Sequence, residues 1–162
     1  MVTPDRIREC FDYDPETGVL RRKVKTGQNC KIGVASGCVH QSGYMRVKLD
    51  GCGFLGHRVI WAWMTGQWPE RFIDHIDLDK SNNRWANLRE ATRAENGANR
   101  PKNSANTTGK KGVCFHAKRN KFQAQIRVDD KLLFLGRFGK LEEAAAAYDE
   151  AARRFFGEFA RS

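Results

Sequence analysis

The sequence has no long hydrophobic run. Its longest apolar stretch, Val59 to Met64, and shorter ones such as Leu132 to Leu135 fall far short of the roughly 18 residues that a membrane-spanning helix needs. Met1 to Cys10 contains no apolar stretch that could act as a signal peptide, so a soluble, cytoplasmic protein with no membrane partner is expected. The five cysteines, at 10, 30, 38, 52 and 114, form no Cys-x-x-Cys pair and are odd in number, which argues against a disulfide framework. Cys30, Cys38, His40 and Cys52 match the spacing of no common zinc knuckle or ribbon, so buried free thiols are expected instead. No internal repeat or low-complexity tract appears. Acidic residues are missing altogether from Pro101 to Val128, a stretch holding seven Lys and Arg.

Enough apolar material is present to fold: 40% of the 162 residues are hydrophobic, with ten Phe and four Trp. The formal charge is +10, and residues 101–162 carry +6 of it from 13 basic and 7 acidic groups. Such a block attracts a polyanion, because each neutralised phosphate releases condensed counterions; it serves equally as a solvated face.

Three sections follow one another. In the first, Pro4 opens a short helix to Cys10, Tyr13 to Gly18 forms a turn, and Val19–Val24 and Gly43–Asp50 read as strands. Arg46 and Lys48 share one face of the second strand, which suits either solvent or DNA. His57 to Thr65 reads as an apolar helix stopped by Gly66 and Pro69, with Trp61 and Trp63 in a core. In the second section Phe72 to Ile76 is a short strand, Asp79 to Asn83 a turn, and Thr92-Arg93-Ala94-Glu95 a capping box opening a helix with Asn96 and Asn99 on one face. Pro101 to Lys111 is rich in Asn, Thr, Lys and Gly and reads as a linker. In the third, Phe122, Ala124, Ile126 and Val128 alternate with polar residues. A second strand runs from Leu132 to Phe138. Leu141 to Phe156 is an amphipathic helix whose apolar stripe includes Ala144, Ala145, Tyr148, Ala151, Ala152 and Phe155. Together these make an α+β protein: a small N-terminal antiparallel sheet, a central ββα segment, and a C-terminal three-stranded antiparallel sheet packed on one helix.

Asp74, His75, Asn87 and Asn96 form a ladder suited to phosphodiester hydrolysis. An imidazole can take a proton from water, while a carboxylate and an amide oxygen can hold one divalent ion on a phosphate. By spacing alone, an Asp-His pair is more often part of a surface turn, and Asn-rich turns are ordinary. The motif, however, resembles a family. His57-Arg58-Val59-Ile60-Trp61, Ile73-Asp74-His75-Ile76-Asp77, Asp79-Lys80-Ser81-Asn82-Asn83-Arg84, Asn87-Leu88-Arg89, Thr92 and Glu95-Asn96 resemble the HNH homing endonucleases of phages and mobile introns. The resemblance covers residues 55–102 and implies a ββα-metal fold. By it His75 is the general base, Asp74 and Asn96 are the metal ligands, and Asn87 fixes the His75 loop. Asn96 stands where many members have His, and an amide oxygen suits Mg²⁺ or Mn²⁺ better than zinc. Asp77 stands where Asn is common. His57 reads as structural or phosphate-adjacent.

Lys111-Gly112-Val113, Lys121 to Ile126, Leu135-Gly136-Arg137-Phe138, Glu142 to Asp149 and Phe156 to Ala160 are similar to the APETALA-type (ethylene-response-factor-like) DNA-binding domain. That likeness covers about residues 109–160 and implies a sheet that enters the major groove of double-stranded DNA. The matched DNA-facing positions are Lys111, His116, Arg119, Lys121, Gln125 and Arg127. The domains implied are 1–54, a β-rich segment; 55–102, the nuclease; 103–108, a linker; and 109–162, the DNA-binding module. Gly139-Lys140 lacks the Asp-Thr helix start of the family, so a weaker cap is expected there. The function expected is a metal-dependent, site-directed DNA endonuclease that would sit in the cytoplasm of a bacterial host if phage-encoded. The alternative is a DNA-binding regulator with a decayed nuclease motif. Charge alone would also fit an RNA-binding protein. No protein partner is implied. A chain without residues 103–162 is expected to remain a weak, poorly specific nuclease.

Overall fold

The structure, a computed structural model, describes residues 2–25 and 30–161. It is a mixed α and β chain of several small antiparallel sheets and four α-helices among the described residues, and it divides into two compact units, Met1–Glu90 and Ala91–Ser162.

In the first unit, α1 (Pro4–Cys10) starts where the Thr3 hydroxyl accepts the Arg6 N–H at 3.2 Å and Pro4 presets φ. It buries Ile7 and Cys10. β1 (Phe11–Asp14) pairs antiparallel with β2 (Val19–Arg22) through a turn in which the Asp14 carboxylate accepts the Glu16 and Thr17 N–H groups. A second sheet has the order β3 (Cys38–Val39), β4 (Met45–Leu49), β5 (Cys52–Leu55). β4 buries Val47 and Leu49 and exposes Arg46 and Lys48, as its alternation predicts. α2 (Gly56–Thr65) ends at Gly66 in the left-handed conformation. β6 (Phe72–His75) then pairs with β7 (Leu88–Ala91). Ile7, Phe11, Leu20, Val47, Ile60 and Ile73 share one core, each such side chain worth about 1.5–3 kcal/mol on burial.

In the second unit, α3 (Arg93–Asn99) opens on a complete capping box: the Glu95 N–H donates to the Thr92 hydroxyl, and the Glu95 carboxylate accepts the Thr92 N–H. β8 (Val113–His116), β9 (Lys121–Val128) and β10 (Lys131–Phe138) form an antiparallel sheet in the order β10-β9-β8, backed by α4 (Leu141–Phe156). Ala124 and Ile126 of β9 meet Ala144, Tyr148 and Ala152 of α4, and Ala98 of α3 joins this same core. Gly112, at φ +68°, admits no side chain, since a Cβ there would lie 2.1 Å from the Tyr148 ring.

The stretch 55–102 therefore contributes to both units. Four other differences have local causes. The strand expected at Val19–Val24 stops at Arg22. The cysteines are not generally buried: Cys10 is, Cys30 is half-buried, and Cys38, Cys52 and Cys114 lie exposed on the short strands β3, β5 and β8, of which β3 and β5 bury no residue. Phe155 is exposed and Phe156 takes the inward place on α4, because the chain turns at Gly157 and brings Phe159 and Ala160 back onto the core. β1, β3, β5, β7 and β8 are too short or too irregular to stand out as periodic strands.

Candidate active site

Asp74 and His75 end β6, and both are buried although neighbouring strand residues face opposite ways. The chain then reverses. The Leu78 N–H donates to the His75 carbonyl at 3.0 Å, with Leu78 at φ +71°. Asn87 fastens this reversal from the far side. Its Oδ1 accepts the Asp77 N–H at 3.0 Å, its Nδ2 donates to Asp77 Oδ1 at 2.9 Å and to the Asn82 carbonyl at 2.8 Å, and its own carbonyl accepts the Ile76 N–H at 3.0 Å. Asn82 Nδ2 donates to the other Asp77 oxygen at 2.6 Å. Burial pushes the Asp77 carboxyl upward, but the bonds from Asn82 and Asn87 outweigh it and hold the group below its usual range.

The imidazole of His75 is held among rings. Its centroid lies 5.2 Å from that of His57, edge to face, and 6.0 Å from that of Tyr44. The Lys80 ammonium stands 4.7 Å above the Tyr44 ring. Nε2 of His75 is 3.2 Å from Oδ1 of buried Asn83. Burial lowers the His75 pKa, against opposing contributions from Asn83, Asp77 and Asp74. His57 is pushed down to about 3, by burial first and by the neighbouring His75 second, and its buried Nδ1 has no hydrogen-bond partner among the described residues.

Asp74 accepts from Arg89 Nε at 3.2 Å in an ion pair that is nearly closed to water on the Asp74 side, 5% exposed. Asn96 is half-buried on α3, so its position is governed by what α3 packs on. That is the second core, through Ala94 and Ala98. Lys111 is turned toward the same helix: its ammonium donates to the carbonyls of Ala98 and Arg100, and burial lowers its pKa to about 8. An ammonium that caps a helix C-terminus is occupied by the protein itself, which corrects its placement among the DNA-facing residues.

The other basic positions stay outward. Arg119, Lys121 and Arg127 are exposed, and Gln125 is half-buried beside Gln123. His116 is half-buried, with a buried Nδ1 that has no partner among the described residues. The outer face of the sheet also presents Leu132 and Phe134, and the Arg137 guanidinium lies 4.9 Å from the Phe134 ring. Sequence reasoning passed over Asn83, Tyr44 and Lys80. Asn83 looked like a turn residue, and only its burial distinguishes it.

The family model described as HNH endonuclease matches residues 55–98. The chain is 34% identical over 106 residues to an uncharacterized HNH endonuclease of Acanthamoeba polyphaga mimivirus, a match covering 64% of this chain and 54% of that protein. The chain thus spans about half the length of that relative. It is 31% identical over 106 residues to Protein 3.8 of Escherichia phage T7, covering 65% of this chain and 87% of the phage protein. Among solved structures, that of the HNH homing endonuclease I-HmuI, described for DNA binding and cleavage, matches at 28% identity with a TM-score of 0.40, over 55% of this chain and 50% of the other.

Proposed function

We propose, since this chain belongs to the HNH endonuclease family, that it hydrolyses phosphodiester bonds of double-stranded DNA with one divalent ion, at a site chosen by DNA-binding surfaces on either side of the motif. The observation that carries this is the strand end itself: a buried imidazole beside a buried carboxylate, on a loop fastened by Asn87. His75 takes the proton from the attacking water. Its depressed pKa keeps it neutral, and therefore basic, at neutral pH. Asp74 and Asn96 would hold the ion.

Among the described residues no three His, Cys, Asp or Glu side chains cluster as a metal cage. Two oxygen donors, with water and phosphate completing the shell, fit Mg²⁺ or Mn²⁺, which commonly use one or two carboxylates. When bound, such an ion neutralises charge that develops on the scissile phosphate. Arg89 holds the Asp74 carboxylate in place.

Binding is assigned to Arg46 and Lys48 on β4 and to Arg119, Lys121, Gln125, Arg127 and His116 around the C-terminal sheet. The three-stranded sheet backed by one helix supports reading it as an APETALA-like module. In a homing-type enzyme these contacts provide affinity and register while the motif cuts. The test is incubation of the full chain with phage and host DNA in Mg²⁺, in excess EDTA, and beside His75→Ala. Cleavage is expected only with Mg²⁺ and falls roughly 10²–10⁴-fold in the variant. Full cleavage in EDTA, or an unaffected variant, overturns the reading. Tight binding without any cleavage favours the regulator instead.

A further inference from the structure

We infer that Asn83 is a positioning residue for His75, and that the segment Tyr13–Gly18, outside the matched residues 55–98, serves to hold Asn83 in place. The inference rests on the reading of His75 as the proton acceptor. It starts from which way the Asn83 amide faces. Its Nδ2 lies 3.1 Å from the Ser81 carbonyl and 4.0 Å from Met45 Sδ, two acceptors for its two hydrogens. The reversed amide would set oxygen against the Ser81 carbonyl oxygen, so the observed orientation is fixed by chemistry. Oδ1 then faces His75 Nε2 at 3.2 Å and can only accept. The neutral imidazole must therefore carry its proton on Nε2, which leaves the basic lone pair on Nδ1.

Asn83 is in turn clamped through its backbone. The Tyr13 hydroxyl donates to the Asn83 carbonyl at 2.7 Å, a buried bond across 70 residues of sequence. The Trp85 N–H donates to the Pro15 carbonyl at 3.1 Å. Gly18 approaches so closely that a Cβ there would lie 2.7 Å from the Asn83 carbonyl carbon and 2.6 Å from the Arg84 nitrogen. Two of these contacts, from Tyr13 and Gly18, meet the Asn83–Arg84 peptide itself, and the third, from Pro15, holds the peptide that follows it. Ordinary core packing requires neither of the two hydrogen bonds.

Long-range proton–nitrogen correlation NMR on the full chain reads the His75 tautomer directly, without any variant and without any DNA. The Nε2–H form is expected; the Nδ1–H form overturns the inference. Asn83→Ala should lower the Nε2–H fraction and reduce kcat roughly 10–100-fold at unchanged KM. Tyr13→Phe leaves the Asn83 side chain intact and removes only the hydroxyl that holds its carbonyl, so it should lower the Nε2–H fraction and kcat in the same direction as Asn83→Ala, by less. If Asn83→Ala lowers only the melting temperature and leaves the tautomer and kcat as they are, Asn83 is structural and the inference fails. If Tyr13→Phe moves neither tautomer nor kcat, the Tyr13–Gly18 segment does not hold Asn83 for this purpose and that half of the inference fails. Failure of the nuclease reading looks different: the wild-type chain would not cleave, while its tautomer would still report whether Asn83 orients the ring.

Discussion

Burial first, and the edge-on His75 second, make a charged His57 costly in the folded chain. Its pKa near 3 lies well below the ordinary 6.5, so between those values the unfolded chain binds a proton that the folded chain refuses. Stability is therefore whole above pH 6.5 and declines as pH falls toward 3, by up to about 1.4 kcal/mol per pH unit. Burial lowers His75 in the same direction. The carboxylates held low, Asp77 and Asp79, act at more acidic pH, below the ordinary carboxylate range. Melting curves from pH 7 to 4.5 should show a steeper fall for the wild type than for His57→Gln; parallel curves would refute this. Asp74 calls for a similar separation of roles. Asp74→Ala breaks a buried ion pair, at a cost of about 3–5 kcal/mol. Asp74→Asn keeps an oxygen for Arg89 while removing the charge. Both variants should lose cleavage and stability, and the alanine, which loses the hydrogen bond to Arg89 as well as the charge, should melt earlier than the asparagine. An Asn variant that cuts normally would remove Asp74 from the metal site.

Among the elements, the turn joining β1 to β2 bears most directly on the chemistry. Gly18 combines φ +75° with a backbone contact that no side chain can relieve, so Gly18→Ala should destabilise the fold by about 1–3 kcal/mol. It should also lower kcat, measured well below the shifted melting point. Unchanged activity there would show the turn to be dispensable. This turn was visible in the sequence from its Asp-Pro-Glu-Thr-Gly residues, but its partner was not: local turn chemistry says nothing about a carbonyl 70 residues away. The same division holds elsewhere. β9 and α4 announce themselves by alternation and by an apolar stripe, and α3 by its Thr92–Glu95 box. Which core an element joins depends on tertiary fit. The small Ala94 and Ala98 carry no such signal, so membership of α3 in the second unit could not be read from its pattern. His75, Asp74 and Asn87 were legible through motif order. Asn83 was hidden because a buried amide and an exposed turn amide have the same sequence.

For the whole chain, the consequence is that residues 103–162 cannot be a detachable reader. α3 is seven residues long, too short to be stable alone, and the core that its Ala98 joins is otherwise built from residues beyond 102, among them Val113, Tyr148, Ala152 and Phe156. A chain ending at 102 should therefore show rapid hydrogen exchange over 93–99 and no metal-dependent cleavage even of random DNA, in place of the weak nuclease that motif boundaries suggest. Protected amides with residual Mg²⁺-dependent cutting would contradict this. In the full chain, Lys121→Ala or Arg127→Ala should flatten the salt dependence of binding by about one unit of log–log slope if each meets a phosphate. An unchanged slope would remove that residue from the interface. The packing of α3 on α4 also sets a timetable. On a ribosome that has just added Lys140, every residue of the motif has been made, yet the helix bearing Asn96 still lacks the surface it folds against. On the reading proposed here, nuclease activity arises only after α4 has been synthesised, so DNA near an unfinished chain is spared.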